Sequence, residues 1–340
     1  MAQQQADSAA STPERIFETL TAYQRTEPLR AAIELDLFTA VGEGANTVEA
    51  LAKRCNANER GIRMLSDNLA AASFLAKAGQ KYALTEESAK FLDRHSPYCV
   101  AAVAGFLTGS KLVDAYRNLA EIVRSGHNGL GGLGSTEPEN PIWVDFARSM
   151  GPLQAPLAEA IAQALHADTR EKWKVLDIAA GHGTFGIVLA KHNPNAEIFA
   201  LDWPAVLQVA EENARAADVS ERYHKIAGNA FEVDLGSNYD VILLTGFLHH
   251  FDPATIEKLL RRIHAALTPT GRVVTLEFVP NEDRVTPAAA AAWAINMLIT
   301  TPAGDAYTFA EYVDLFRKAG FSSNELIRVP GPQALIVSRK

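Results

Sequence analysis

Apolar residues in the first hundred positions recur every three to four residues, the spacing of one buried helix face. A short apolar strand of a small hairpin follows, around Tyr82. Helix, turn, helix and hairpin in this order predict a winged-helix domain over residues 1–105. Its predicted helices cover residues 13–23, 29–41, 48–52 and 58–75.

The middle of the chain keeps the helical period on both sides of a glycine-rich interruption. Residues 100–123 are predicted as one apolar helical stretch and residues 141–161 as a second helix. Between them, residues 125–139 are predicted to form a mobile loop, because glycine disfavours regular structure. We assign residues 106–165 to a helical linker that lines a substrate pocket. The large side chains on one side of the second helix are Trp143, Phe146 and Met150.

From Lys174 onward, strands and helices alternate, which predicts a parallel sheet covered by helices on both faces. Two final strands, 325–329 and 334–337, are joined by a short link, which favours an antiparallel hairpin over a crossover helix. Residues 166–340 are therefore predicted to form a separate α/β domain. The alternating strands are expected at 175–178, 198–201, 223–227, 241–244 and 273–276, and the helices at 185–192, 205–217 and 254–267.

Composition limits the classes of partner. The 340 residues are 48% hydrophobic, enough for two domains, and carry a net charge of −8. Nucleic acids and anionic membranes select a concentrated basic surface, so neither is expected as a partner. Cys55 and Cys99 lack metal-ligand spacing, and no apolar run is long enough to span a bilayer. We expect a soluble cytoplasmic protein without a metal site.

The winged-helix pattern has two interpretations, a DNA reader or a dimerisation module. A DNA reader presents basic and amide side chains on its second helix and wing. Residues 1–105 contain 11 Lys and Arg against 13 Asp and Glu. This balance favours a dimerisation and packing module.

A glycine loop at residues 175–186 is the strongest chemical signal in the chain. An apolar strand ends in glycines at 181, 183 and 186, and a helix follows, which is the context of a nucleotide-binding turn. The same glycines fit a nicotinamide dinucleotide. Asp177 would repel phosphates, however, and suits a cationic ligand. Asp202 ends the second strand, where a carboxylate can accept hydrogen bonds from ribose, and Asn229 follows the third. Together these features favour S-adenosylmethionine.

With these features and the segment Leu-His-His-Phe at 248–251, the chain resembles class I S-adenosylmethionine-dependent small-molecule O-methyltransferases. The resemblance is to the caffeic acid and bacterial antibiotic-tailoring type and covers most of the chain. It implies a Rossmann-like seven-stranded methyltransferase domain preceded by an α-helical winged-helix dimerisation domain. It also implies S-adenosylmethionine as cofactor, an aromatic small-molecule acceptor, and a homodimer formed through the N-terminal domain.

The resemblance assigns roles to individual residues. His249 falls on the general-base position and Glu277 on a carboxylate that orients it. His250 replaces a family aspartate, and we interpret it as a packed or solvated histidine. A second orienting acid of the family is replaced by Ala306, unless Asp305 takes its place. Expected cofactor contacts are Asp177, Ala179, Gly181, Gly183, Asp202, Trp203, Asn229, Ala230, Phe231 and Thr245. The expected substrate wall consists of Trp143, Phe146, Met150, Phe247, Trp293, Asn296 and Met297.

The resulting hypothesis is methyl transfer to a hydroxyl of an aromatic or polyketide-like molecule. Three alternatives remain at this stage: non-methylating chemistry on the same fold, such as decarboxylation, hydroxylation or cyclisation; a non-enzymatic winged-helix regulator; and a nicotinamide dehydrogenase. The sequence does not identify the acceptor.

Overall fold

The computed structural model describes residues 12–340. The chain forms two compact units, and the boundary between them along the chain lies between Gly105 and Phe106. In the first unit, Leu75 pairs with Leu84 in an antiparallel hairpin that follows two consecutive helices, as predicted for a winged helix. Its core contains the fully buried Leu37, Leu51 and Ile62. The elements are helices α1 (Glu14–Leu20), α2 (Tyr23–Glu34), α3 (Leu37–Gly42), α4 (Val48–Arg54), α5 (Glu59–Ala71) and α6 (Glu86–Phe91), with strands β1 (Leu75–Ala78) and β2 (Lys81–Leu84).

Helix caps and single left-handed residues set the ends of these helices. Thr47 and Asn58 accept backbone N–H groups at the starts of α4 and α5. The predicted continuous helix over 29–41 is wrong, because Asp36 adopts a left-handed φ of 57° between α2 and α3. The predicted helix over 58–75 is too long, because Ser73 at φ 64° turns the chain into β1. Asp and Ser cost less than bulky residues in this conformation.

The predicted single helix over 100–123 is also wrong, because the structure has three short helices there, α7 (Ala102–Leu107), α8 (Ser110–Arg117) and α9 (Leu119–Ser125). The glycine-rich segment after α9 is held against Ile299 and Thr300 by backbone contacts. The Gly129 N–H donates to Ile299 O over 2.8 Å, and a Cβ on Gly134 would lie 2.2 Å from Thr300 O. This segment is therefore an anchored loop, which contains a 3₁₀ turn at Gly134–Thr136.

The second unit is built on a seven-stranded sheet in the order β5-β4-β3-β6-β7-β9-β8. The four pairings among β3 to β7 are parallel, as predicted, and β8 and β9 form the expected antiparallel hairpin. The strands are β3 (Lys174–Ile178), β4 (Glu197–Asp202), β5 (Tyr223–Ala227), β6 (Tyr239–Thr245), β7 (Leu267–Glu277), β8 (Ser323–Arg328) and β9 (Ala334–Arg339). The helices are α10 (Ile142–Ala164), α11 (Thr184–His192), α12 (Pro204–Ala216), α13 (Pro253–Ala266), α14 (Ala288–Thr300) and α15 (Phe309–Ala319).

Two apolar cores, one on each face, cover this sheet. The strand order reverses beside β3, whose neighbours are β4 and β6. At such a switch point the loops after the strands diverge and open a crevice at the carboxyl edge of the sheet. Helices α14 and α15 were not predicted from the sequence, and α14 carries three of the expected wall residues, Trp293, Asn296 and Met297. None of the helices described in residues 12–340 is both long and apolar enough to cross a membrane.

Candidate functional site

The glycine loop after β3 is held in a backbone conformation that few residues adopt. Gly181 and Gly183 have φ angles of 57° and 75°, and Ala179 has a φ of 56°. An alanine in this left-handed region costs roughly 1–2 kcal/mol, so the surrounding contacts must enforce the turn. At Gly183 any side chain is also excluded by space, because a Cβ would lie 2.6 Å from the Tyr223 hydroxyl. The loop presents its backbone closely to the crevice, as a bound nucleoside requires.

Asp177 supports this loop from inside the protein. Its carboxylate is fully buried, and its Oδ2 accepts the Gly186 N–H over 3.2 Å. Its Oδ1 has no hydrogen-bond partner among the described residues, and neither has the buried Tyr223 hydroxyl. Burial disfavours the ionised carboxylate and raises the pKa of Asp177 to about 7. The arrangement makes Asp177 a support for the turn.

Asp202 connects the end of β4 to the same loop. Its two carboxylate oxygens accept the Gly181 N–H over 2.8 Å and the Trp203 N–H over 2.7 Å. Burial raises the pKa of this carboxyl to about 6. Asp202 therefore lies at the crevice edge, and each oxygen retains a lone pair that can accept a ribose hydroxyl. Trp203 is the N-cap residue of α12 and packs against the small apolar cluster that contains Ala147 and Val206.

The residues after β5 and β6 complete this edge of the sheet. Asn229 folds over its own turn, since Oδ1 accepts the Phe231 N–H and Nδ2 donates to Glu232. The buried Ala230 follows, and its carbonyl accepts a hydrogen bond from Arg262. The Phe231 ring lies edge-on to Phe251. Thr245 ends β6.

His249 and Glu277 form a buried pair at the carboxyl ends of β6 and β7. Glu277 is fully buried, and its Oε1 accepts the N–H groups of Phe247 and Leu248 over 3.2 and 2.9 Å. Its Oε2 is hydrogen-bonded to Nδ1 of His249. A carboxylate only accepts, so Nδ1 carries the proton and Nε2 keeps its lone pair. The pair therefore holds an imidazole in the tautomer of a general base.

Asp305 does not replace the second orienting acid. Its Oδ2 pairs with Arg284 over 3.2 Å, while its backbone N–H donates to His249 O over 3.0 Å. Gly304 lies directly under the same carbonyl, because a Cβ there would be 2.3 Å from His249 O. The segment around Ala306 thus braces the backbone of His249, and its ring is oriented by Glu277.

Aromatic rings from α10 surround one side of the crevice. Trp143 donates its indole N–H to Ser135 O and meets His250 edge-on with ring centroids 5.3 Å apart. Phe146 stacks on His182, a residue of the glycine loop, at 5.9 Å. His182 Nδ1 accepts the Thr184 N–H, and burial lowers its pKa to about 4, so the ring is neutral. His182 was not among the predicted site residues, although it lies inside the glycine motif.

The opposite wall comes from α14 and the residue after β7. Trp293 lies edge-on to His249 at 5.2 Å and stacks on Phe278 at 4.2 Å. Asn296 accepts a hydrogen bond from the Tyr116 hydroxyl over 3.5 Å. The structure thus brings Trp143 to His250 and Trp293 to His249. It places Phe146 against His182. The remaining predicted wall residues are Phe247, beside His250, and the buried Met150 and Met297.

No group of three potential metal-ligating side chains is found within residues 12–340. The polar groups gathered at the crevice are hydrogen-bonding groups suited to a nucleoside and one buried base. This combination is typical of proteins that bind a nucleoside cofactor beside a buried His–Glu pair and an aromatic pocket.

Comparison with known proteins names the family. The O-methyltransferase domain matches residues 134–322, and the O-methyltransferase dimerisation domain matches residues 17–94. The chain belongs to the O-methyltransferase family. It is an S-adenosylmethionine-dependent O-methyltransferase with a helical dimerisation domain at its N-terminus.

Two curated relatives align over nearly the whole chain. The tetracenomycin polyketide synthesis 8-O-methyl transferase TcmO of Streptomyces glaucescens is 29% identical, over 96% of this chain and 97% of its own. The 3-hydroxy-5-methyl-1-naphthoate 3-O-methyltransferase of Streptomyces sahachiroi is 27% identical, over 95% and 93%.

Solved structures agree with this fold. A protein from Nostoc punctiforme assigned as an O-methyltransferase is 48% identical, with a TM-score of 0.92 over 97% of this chain and 100% of its own. PigF with bound SAH is 25% identical, with a TM-score of 0.84 over 97% and 100%.

Proposed function

We propose that this enzyme methylates a hydroxyl group of an aromatic or polyketide-like small molecule, with His249 as the general base. The observation that carries the proposal is the His249–Glu277 pair, buried between the aromatic walls of the crevice. S-adenosylmethionine supplies a methyl group already activated on its sulfonium. The protein must therefore align the acceptor oxygen, exclude water and remove one proton. The relatives named for polyketide and naphthoate substrates support an aromatic acceptor.

In this mechanism the acceptor hydroxyl donates its hydrogen to Nε2 of His249. As the oxygen–methyl bond forms, the proton passes to Nε2, and the negative charge of Glu277 stabilises the imidazolium. The cofactor is assigned to the crevice beside the glycine loop, with Asp202 on the ribose. The adenine is assigned to the turn after β5, where Asn229, Ala230 and Phe231 lie. Ala179, Gly181, Gly183, Trp203 and Thr245 complete the proposed cofactor site. Asp177, predicted as a cofactor contact, is fully buried and supports the loop from inside the protein.

The His249→Ala variant tests the base. We expect transfer to fall by at least about 100-fold, the usual contribution of a general base, while SAH binding measured by calorimetry stays within about threefold. His264→Ala is the matched control, since His264 lies in the last turn of α13 and packs on Phe321 rather than on Glu277. Product mass distinguishes a gain of one methyl group from decarboxylation, hydroxylation or cyclisation. Unchanged turnover of His249→Ala, or a product without an added methyl group, would overturn the proposal.

We also propose that the homodimer forms through the N-terminal unit. Four large apolar side chains of the first helices are each 60–66% exposed, an unfavourable arrangement unless another chain covers them. Light scattering of a Phe17→Ser/Leu20→Ser variant tests this, with a shift to the monomer mass expected. A dimer of unchanged mass and stability would exclude this face. The four side chains are Ile16, Phe17, Leu20 and Tyr23.

A further inference from the structure

The 3₁₀ turn that carries His249 is hydrogen-bonded at its start and in its middle. At the start, Glu277 Oε1 accepts the N–H groups of Phe247 and Leu248. In the middle, the Asp305 N–H donates to His249 O over 3.0 Å. These contacts leave the end of the turn, where the chain enters α13, to be held by a different residue.

Tyr307 holds that end of the turn through its hydroxyl. The hydroxyl oxygen lies 2.6 Å from Phe251 O, and since a carbonyl oxygen can only accept, the hydroxyl is the donor. Tyr307 is only 4% exposed, and burial raises the pKa of its hydroxyl, so the donor keeps its proton at neutral pH. Tyr307 directly follows Ala306, the position at which the family carries its second orienting acid. A side chain next to the missing acid therefore reaches the turn from another direction.

The anchored carbonyl belongs to a residue that packs back onto the start of the turn. The Phe251 ring lies edge-on to Phe247 with centroids 5.0 Å apart, and edge-on to Phe231 at 4.9 Å. Fixing the main chain at Phe251 therefore fixes the two ends of the turn relative to each other. His249 lies between these ends, and a misplacement of about 1 Å in a reacting group can cost on the order of 100-fold in rate.

We propose that Tyr307 is a positioning residue, which directs the imidazole of His249 by hydrogen-bonding the end of its turn. In this chain it compensates in part for the second acid that Ala306 replaces. Tyr307 acts through the main chain of Phe251, and its hydroxyl takes no part in the proton transfer. The inference rests on the proposed function, because it requires that His249 is the base whose direction matters.

The Tyr307→Phe variant removes the hydroxyl and keeps the ring, which packs edge-on against Tyr312 with centroids 5.8 Å apart. The first measurement is the proton NMR signal of His249 Nδ1 in the full-length protein with SAH bound, assigned by its absence from His249→Ala. Charge-assisted hydrogen bonds are strong, and a proton in such a bond resonates far downfield. We expect this signal to move upfield, or to be lost through exchange with water, as the imidazole turns away from Glu277.

Methyl-transfer rates give a second measurement, which separates misplacement of the base from a general loss of structure. 1-Naphthol must lose its proton during transfer, whereas 4-nitro-1-naphthol is already ionised at neutral pH because of its nitro group. We expect the single-turnover rate of Tyr307→Phe to fall about tenfold with 1-naphthol and less than about twofold with 4-nitro-1-naphthol, because a misplaced base matters only where a proton remains. The KM for S-adenosylmethionine should stay within about twofold of the wild-type value.

Tyr312→Phe is the matched control. Tyr312 lies on α15 beside Tyr307 and is fully buried, and its hydroxyl has no hydrogen-bond partner within the described residues 12–340. The control therefore removes a hydroxyl from the same aromatic cluster without breaking a hydrogen bond. Its His249 signal and its rates should stay near those of the wild type. Melting temperatures and SAH affinities show that both variants are folded.

The outcomes separate this inference from the function on which it rests. A His249 signal at its wild-type position in Tyr307→Phe overturns the inference, whether or not methyl transfer occurs. A rate that falls equally with both naphthols, or does not fall with 1-naphthol, also overturns it, as do the same changes in Tyr312→Phe. A displaced signal in Tyr307→Phe alone, without methyl transfer to either naphthol by the wild type, supports the positioning role and counts against the proposed function.

Discussion

Replacing Glu277 by glutamine is expected to stop methyl transfer by reversing the tautomer of His249. The two side chains have nearly the same size. Glu277 Oε1 already accepts two backbone N–H groups, from Phe247 and Leu248. A glutamine must keep its oxygen at that position, since its NH₂ group would face two donors there. The NH₂ group then points at His249 Nδ1, which can accept its hydrogen only when the ring proton moves to Nε2.

The size of the expected fall in methyl-transfer rate follows from the loss of the general base. An imidazole protonated on Nε2 has no lone pair for the acceptor hydroxyl, so the general-base contribution disappears. That contribution is about 10² to 10⁴ in rate, or about 3 to 5 kcal/mol of transition-state stabilisation. The two backbone hydrogen bonds persist, and the neutral glutamine places no new charge in the core. We therefore expect a loss in kcat with little change in melting temperature.

Single-turnover rates with S-adenosylmethionine and a hydroxylated acceptor measure this effect, and SAH calorimetry reports the cofactor site. Asp305→Asn is the matched control, because the Asp305 carboxylate pairs with the half-exposed Arg284 and does not orient the His249 ring. Exposed pairs of this kind contribute about 0–1 kcal/mol, so its rate should stay near that of the wild type. A Glu277→Gln rate within about threefold of the wild type would refute the tautomer argument, since a lost general base costs far more.

Two further predictions concern the supports of the site. Asp177→Asn should stabilise the protein at pH 8 by up to about 4 kcal/mol relative to wild type, because the folded pKa of about 7 lies well above the ordinary 3.8. Because the pKa of Asp177 is raised in the folded protein, the wild type loses stability as pH rises through that pKa. The stability difference between Asp177→Asn and the wild type should therefore disappear near pH 4. Urea unfolding at both pH values measures this difference, and a difference that does not depend on pH would contradict the prediction. Gly304→Ala should lower stability by about 1–3 kcal/mol and also lower kcat, because its Cβ would lie 2.3 Å from His249 O. Thermal melts and kinetic assays of Gly304→Ala measure both effects, and Ala303→Gly at the exposed neighbouring position is the control. An unchanged kcat would show that the backbone contact at Gly304 does not position His249.

Much of the fold follows from local patterns. The buried strands of a parallel sheet are continuous apolar runs, and β3 to β6 were predicted within a few residues for that reason. The short Pro-Gly-Pro link likewise permits only a hairpin between β8 and β9. Helix ends were predicted less well. Asp36 and Ser73 each end a helix by adopting a left-handed backbone conformation. The spacing of apolar residues continues across both positions, so the sequence pattern does not show where these helices end.

The site divides in a similar way. The sequence by itself determined the glycine loop, the acids at the strand ends and, through the family resemblance, His249 and Glu277. The tertiary structure alone decided where their side chains point. Asp177 faces the interior, Asp305 supports His249 through its backbone, and His250 joins the base between Trp143 and Trp293. Hydrophobic periodicity indicates whether a position is buried. The direction of a side chain depends on partners that other elements supply, and only the folded chain brings these together.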